Sequence, residues 1–142
     1  MFIGQFTHSL DDKSRIALPA KFRARLDDGV VITAGRDRQL LIYPREGFEI
    51  LAGKVNELPL MGPDAETLRR MIFMSAVDAV PDKQGRVIIG PDLLQHAGIE
   101  HEAVLVGVGQ FIEVWHPAEW QRAKAEVASA AAQKEVWARL GF

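Results

Sequence analysis

Apolar residues in this chain gather into short runs separated by Asp-, Gly- and Pro-bearing segments, and the series occurs twice. Phe2–Asp11 lines up with Phe73–Asp82 at a shift of 71, and Asp11-Asp12-Lys13-Ser14-Arg15 meets Asp82-Lys83-Gln84-Gly85-Arg86 at the same shift. A β-rich run follows each, Ile16-Ala17-Leu18 and Val87-Ile88-Ile89. After a one-residue slip Pro19 meets Pro91, and a shift of 72 then brings Gly35 to Gly107, Tyr43 to Trp115 and Phe48 to Trp120. Residue classes and spacings agree more than identities do, as expected of two copies of one unit.

Each copy predicts the same elements. A strand, a turn led by Asp and a strand opening with Arg make a β-hairpin. A short helix with Pro at its start follows, Pro19 to about Leu26 or Pro91 to Ala97, with Gly29 and Gly98 as stops. Two apolar strands come next, Val30 to Ala34 with Gln39 to Tyr43, and Ala103 to Val108 with Gln110 to Trp115. Gly35-Arg36-Asp37-Arg38 and Gly107-Val108-Gly109 read as their hairpin turns. Phe48, Leu51, Val55 and Leu58 step by 3, 4 and 3 along one helical face. Leu58 to Pro63 breaks that helix, and Asp64 is a fitting cap for a linking helix through Met71.

From about Ala118 to Leu140 the pattern predicts one longer helix. Trp120, Ala123, Val127, Ala130, Lys134 and Trp137 form its stripe, with Lys134 as the polar interruption. Such a stripe docks on its own domain or, since Trp137, Leu140 and Phe142 lie past any repeat, on another subunit.

At 142 residues the chain has room for one ordinary domain or two very small ones. Units of about seventy residues bury a core poorly alone, and interleaving their hairpins solves that problem. The expected fold is α+β: duplicated units with flanking helices and a pseudo-two-fold axis within one chain. Residues 1–62 form the first repeat, and 63–142 hold the linking helix, the second repeat and the C-terminal helix.

A composition 48% hydrophobic and 25% charged is that of a globular domain. No run of eighteen apolar residues exists, and no basic segment followed by an apolar core opens the chain, so neither a membrane span nor a secretory signal is expected. With zero cysteines there are no disulfides, thiolate metal sites or cysteine nucleophiles, which fits a reducing cytoplasm. The formal charge of −2 argues against a blanket polycation for nucleic acid. Local patches would have to serve, and Lys13, Arg15, Lys21, Arg23 and Arg25 crowd one stretch of the first half. Asp11, Asp12, Asp27 and Asp28 flank it, so an ordinary solvated face is the plainer reading.

Chemistry could sit at the repeated Asp-x-x-x-Arg turn. An Asp opening a turn accepts hydrogen bonds from backbone amides two or three residues on, and so fixes the loop. Arg15 and Arg86, at the turn exits, carry a planar five-donor fork suited to two phosphate oxygens or to the O6 and N7 edge of guanine. Lys13 and Lys83 add point charges beside them. The simpler alternative is that each Arg pairs with its Asp, Asp11 or Asp82, and locks the hairpin. Enzyme signatures are absent: no G-x-S-x-G, P-loop or H-E-x-x-H occurs. His8, His96, His101 and His116 are scattered, and none of their spacings makes a metal pair. Neither catalysis, nor a cofactor, nor a metal, nor a small-molecule substrate is expected.

Met1-Phe2-Ile3-Gly4, Leu10-Asp11 through Pro19, the echo Asp82 through Pro91, and Gln95-His96-Ala97-Gly98-Ile99 together resemble the MraZ family, from residue 1 to about 122. The resemblance implies a duplicated AbrB-type swapped-hairpin β-barrel. It also implies a bacterial transcriptional regulator, in the cytoplasm and associated with the nucleoid, that assembles into homo-oligomeric rings. Such a regulator binds short direct repeats in double-stranded DNA upstream of its own division and cell-wall operon, most simply as a repressor. DNA binding would then fall to Arg15 and Arg86, with Asp11 and Asp82 completing the motifs and Lys13 and Lys83 assisting. One departure stands out: the family's first turn usually has Gly before the Arg, and this chain has Ser14. If that position needs positive φ, Ser14 costs roughly 1 kcal/mol relative to Gly.

Overall fold

A computed structural model describes every residue from Met1 to Phe142. In the first unit β1 (Phe2–Ser9) and β2 (Arg15–Ala17) flank the first Asp turn. A 3-10 turn at Ala20–Phe22 runs into α1 (Arg23–Leu26), β3 (Val30–Ala34) and β4 (Leu40–Pro44) form a hairpin, and α2 (Arg45–Asn56) closes the unit. After α3 (Pro63–Ser75) the series recurs as β5 (Val77–Ala79), β6 (Arg86–Ile88), α4 (Pro91–Ala97), β7 (Glu102–Gly109), β8 (Ile112–Trp115) and α5 (Pro117–Ala131), with α6 (Lys134–Arg139) beyond it. Proline at the first helical position starts α3, α4 and α5, where its missing N–H costs nothing, and Gly98 in the left-handed region ends α4.

Strand order in the six-stranded antiparallel sheet is β1-β7-β8-β4-β3-β5, and β2 pairs with β6 in a separate ribbon. Exchanging every strand for its counterpart in the other unit reverses that order and leaves it unchanged. The hairpins are therefore interleaved: β3–β4 of the first unit lies between β8 and β5 of the second. The pseudo-two-fold axis passes through the pairs Ile16↔Val87 and Leu41↔Glu113, each a residue facing its own repeat mate.

The core explains the exchange. Alternate residues of the sheet (Val30, Ile32, Leu40, Ile42, Ala103, Leu105, Ile112, Val114) meet Ile16 and Val87 of the ribbon and Phe22, Leu26, Leu93 and Ala97 of the short helices, in one cluster of 19 buried residues. Both units supply it in alternation, so neither keeps a core if pulled away. Each large side chain buried there is worth about 1.5–3 kcal/mol.

Several expectations are corrected. Phe73, Met74 and Ser75, matched above to a strand, form the last turn of α3, because the Ser75 hydroxyl bonds back to the Met71 carbonyl and to Thr33 Oγ1. The strand there shrinks to β5. That linking helix runs past Met71, and its N-cap is Gly62, with Asp64 inside the first turn. Gly107 and Val108 are strand, and the hairpin turns at Gly109-Gln110, closed by Val108 N–H donating to the Phe111 carbonyl at 3.0 Å. Inward-facing positions match at a shift of 73 in β3 and β7 (Ile32 with Leu105) and at 72 in β4 and β8, because the second hairpin loop is one residue shorter. Gly107 therefore corresponds to Ala34, not to Gly35. The C-terminal helix is two helices, interrupted at Ala132-Gln133.

The outer helices differ between units. α3 folds back on α2, Phe48 meeting Phe73 edge to face at 6.3 Å, and Val55 in the stripe is buried. In the second unit Trp120 packs on Trp115 at 5.9 Å and Ala123 on the small cluster of Val104 and Val106, but Val127 and Ala130 further along are exposed. α6 follows too closely to fold back and instead caps the end of α5, Trp137 Nε1–H donating to the Ala131 carbonyl at 2.7 Å. Docking on its own domain thus accounts for only half of the stripe.

Candidate nucleic-acid interface

Both Asp turns are built alike. Asp11 Oδ1 accepts from the Lys13 and Arg15 amides, each at 2.9 Å, and Oδ2 accepts from Arg15 Nε at 2.7 Å. Asp82 repeats this with the Gln84 and Arg86 amides at 2.9 Å and Arg86 Nε at 2.9 Å. Backbone bonds close each loop: Asp11 N–H to the Arg15 carbonyl and Ser14 N–H to Asp11, with Asp82, Arg86 and Gly85 in the same roles. Each loop is also tied to the opposite strand, Ile89 N–H to the Ser14 carbonyl and Leu18 N–H to the Gly85 carbonyl.

Positive φ falls at Ser14 (58°) and Gly85 (75°), and Ser14 is the chain's one non-glycine residue in that region. The first turn thus adopts the shape of the second in spite of its side chain.

The Arg15 amide, more than any other group, holds the Asp11 carboxyl below the usual carboxylate range, with the Arg15 guanidinium and the Lys13 amide adding to it against some desolvation. Asp82 is lowered the same way by the Arg86 amide first. A lowered carboxylate pKa stabilises the fold above its unfolded value and loses that contribution as pH falls through the folded one. Both turns are therefore braced at neutral pH.

In the β2–β6 ribbon Arg15 faces Ile88 and Ala17 faces Arg86, so these four share the outer surface while Ile16 and Val87 point inward. The two turns, far apart in sequence, form one continuous patch, and Arg86 Nη1 reaches Asp11 Oδ2 of the other turn at 3.6 Å. Lys13 and Lys83 stand exposed at its two ends. The sequence left open whether the arginines project from the tips or pair with their Asp. Both are half-buried and spend Nε on their own Asp, while their terminal nitrogens make no hydrogen bond within the chain. Pairing thus fixes the fork rather than consuming it.

Two residues of this surface were missed. Ile88 lies exposed between the arginines, inside a run that reads as core. Arg23, singled out only as one of a basic stretch, folds back so that Nε donates to the Leu18 carbonyl at 3.1 Å, and its guanidinium covers Gly85 of the second turn. Nothing local in sequence marks that contact, because it joins the helix of one unit to the turn of the other. His8 also has a structural place, its Nδ1 lying 2.6 Å from the Ala17 carbonyl. No cluster of three His, Cys, Asp or Glu side chains suited to a metal occurs. No helix is long and apolar enough to cross a membrane.

Comparison with known proteins follows the same division of the chain. The family model described as "MraZ protein, putative antitoxin-like" matches twice, over residues 1–71 and 72–140. A protein of Herpetosiphon aurantiacus named transcriptional regulator MraZ is 46% identical over 121 residues, 85% of either chain. Its namesake from Thermomicrobium roseum is 45% identical over 130 residues, 92% of this chain and 91% of its own. Another, from Cutibacterium acnes, is 44% identical over 86% of each chain.

Proposed function

The chain belongs to the MraZ family, and from that premise we propose that it is a transcriptional regulator that binds specific double-stranded DNA through its two turn tips. The observation that carries this reading is the ribbon face. It presents two preorganised arginine forks, with Lys13 and Lys83 at its margins, on a two-stranded element narrow enough for the major groove. Arg15 and Arg86 would contact base edges or phosphate, Asp11 and Asp82 would hold them in aim, and the lysines would contact backbone.

A single protomer with so few cations neutralises few phosphates and binds weakly. Assembly into a ring offers many such faces to tandem direct repeats, and avidity adds roughly 10²–10⁴ without new contacts. The uncovered part of the α5 stripe and exposed Trp137, Leu140 and Phe142 support assembly through this end of the chain. The site most in keeping with the family is upstream of the chain's own division and cell-wall operon, with repression as the outcome and the cytoplasmic nucleoid as the place.

The bonding of each Arg to its Asp favours a second reading, in which the turns only lock hairpins of an interaction ring. Titration of DNA from upstream of the gene against scrambled DNA, at two salt concentrations, separates the two. Arg15→Ala and Arg86→Ala should each lower specific binding by about ten-fold or more, the cost of one bidentate contact, while light scattering shows an unchanged particle mass. Equal binding to scrambled DNA, or full specific binding by both variants, would establish the lock.

A further inference from the structure

We propose that Arg23 is a third arginine of the DNA-facing surface, a phosphate contact lying outside both Asp-x-x-x-Arg motifs that makes the second tip the stronger anchor. The inference rests on the DNA-binding reading above.

The charges on the ribbon face are distributed unevenly. Arg15 and Arg86 together meet Asp11 and Asp82 at distances between 2.7 and 3.6 Å, so those four side chains carry no net charge. What remains is Lys13 offset by Asp12 at the first tip, Lys83 with no such neighbour at the second, and Arg23. Arg23 has no carboxylate partner; its one hydrogen bond, from Nε to the Leu18 carbonyl, leaves both terminal nitrogens with their donors unspent. Leu18 in turn donates to the Gly85 carbonyl at 2.8 Å. Arg23, Leu18 and the second turn are thereby one rigid unit, and a Cβ added at Gly85 would lie 2.7 Å from Arg23 Cδ and 2.8 Å from Cζ.

Phosphate recognition needs an unneutralised guanidinium, fixed in direction, beside the groups that enter the groove. Arg23 meets all three conditions. The repeat supplies a control within the same chain: buried Phe22 and Leu26 match buried Leu93 and Ala97 at a shift of 71, so the place of Arg23 is taken in the second unit by Leu94, which has no charge. The first tip therefore lacks the third cation that the second tip has. The turns match in geometry but are unequal in charge, the first also carrying Asp12 where the second has Lys83, and a protomer has a preferred tip with which to hold a DNA half-site.

The test is the dependence of affinity on salt, since every phosphate no longer neutralised takes about one from the slope of log affinity against log salt concentration. Arg23→Gln should flatten the slope by about one per engaged protomer and weaken binding to specific and scrambled DNA alike. Arg23→Lys should keep the slope, and Leu94→Arg should steepen it by about one by giving the first tip a matching cation. An unchanged slope in Arg23→Gln, accompanied by a lower melting temperature, would mean that Arg23 only shields the second turn, and would overturn the proposal. Should Arg23→Gln fail to fold, Arg23→Met, which keeps an unbranched apolar stem over Gly85, decides: an unchanged slope counts against a phosphate role at this position. A wild-type chain that binds no DNA overturns the functional reading itself, an outcome distinct from normal binding with an unmoved slope.

Discussion

Val55 in α2 is 4% exposed, whereas Val127, at the same place in α5, is 62% exposed. Across the same two units the turn bonds agree closely: amide-to-carboxylate distances are 2.9 Å in both, and Arg-to-Asp distances are 2.7 and 2.9 Å. The duplicated unit has diverged in its helical layer and been kept in its turns. A turn of this kind depends on several directional hydrogen bonds, each of which fails if one atom moves. An apolar stripe is satisfied by any apolar surface, whether it comes from the same chain or from another copy. The first unit closes its stripe with α3. The second leaves α5 partly open, which is where an assembling protein would differ from a self-contained one.

The sharpest way to break that comparison is to place the same charge at both valines. Val55→Glu buries a carboxylate and should destabilise the fold by about 4 kcal/mol or more, among the largest effects of single substitutions, seen as loss of the cooperative unfolding transition at room temperature. Val127→Glu should leave the protomer folded and instead reduce particle mass in light scattering, with apparent DNA affinity falling by roughly 10²–10⁴ as avidity is lost. Intact assembly in Val127→Glu would show that the bare stripe is not a subunit contact.

A second pair tests the strand layer. Gly107 faces Gly4 across β1, and a Cβ on Gly107 would sit 2.5 Å from the Phe2 carbonyl carbon and from the Ile3 nitrogen. Its counterpart Ala34 carries a Cβ because β5 is three residues long and stops short of it. Gly107→Ala should therefore cost about 1–3 kcal/mol as an overpacked site, against about 0.5–1 kcal/mol for Ala34→Gly, which loses only conformational restriction. Equal costs in denaturant melts would mean that β1 yields to the intrusion.

Much of this was legible in the sequence because the code was local or repeated. The proline start of α4, the Gly98 stop, the Asp-x-x-x-Arg spacing and the stripe from Phe48 to Val55 each depend on residues a few positions apart and found their elements, whereas α2 ends at Asn56, short of Leu58, and α1 ends at Leu26, short of Gly29. The repeat even implied the exchange of hairpins, since neither half could bury Ile16 or Val87 alone. What was hidden depended on contacts between units. Phe73 to Ser75 read as strand by analogy with Phe2 to Gly4, but the Ser75 hydroxyl meets Thr33 of β3 and the helix continues. Gly107 read as a turn glycine because its need for a small side chain arises from β1, about a hundred residues away. Arg23 read as one charge in a cluster because the turn it covers belongs to the other unit. The inserted residue that shifts β3 against β7 became visible only from which side chains point inward.

The smallest expected effect compares the two tips directly. Ser14 and Gly85 occupy the same left-handed position, and only one of them is glycine. Ser14→Gly should stabilise the chain by about 1 kcal/mol by removing the penalty on Cβ. Gly85→Ser should cost at least as much, because the new side chain meets both that penalty and the overlying Arg23. In thermal melts at fixed protein concentration, each kcal/mol moves the midpoint by about 2–4 °C in a chain of this length, so the two variants should part in opposite directions. Their DNA behaviour should part as well. Ser14→Gly changes no charge and no hydrogen bond of Asp11, so its salt dependence should equal that of the wild type. Gly85→Ser displaces Arg23 and should flatten the slope even where the turn stays folded. If both variants bind with wild-type slope, the conformation of the tips and the charge above them are independent, and the inequality between the units lies in their helices alone.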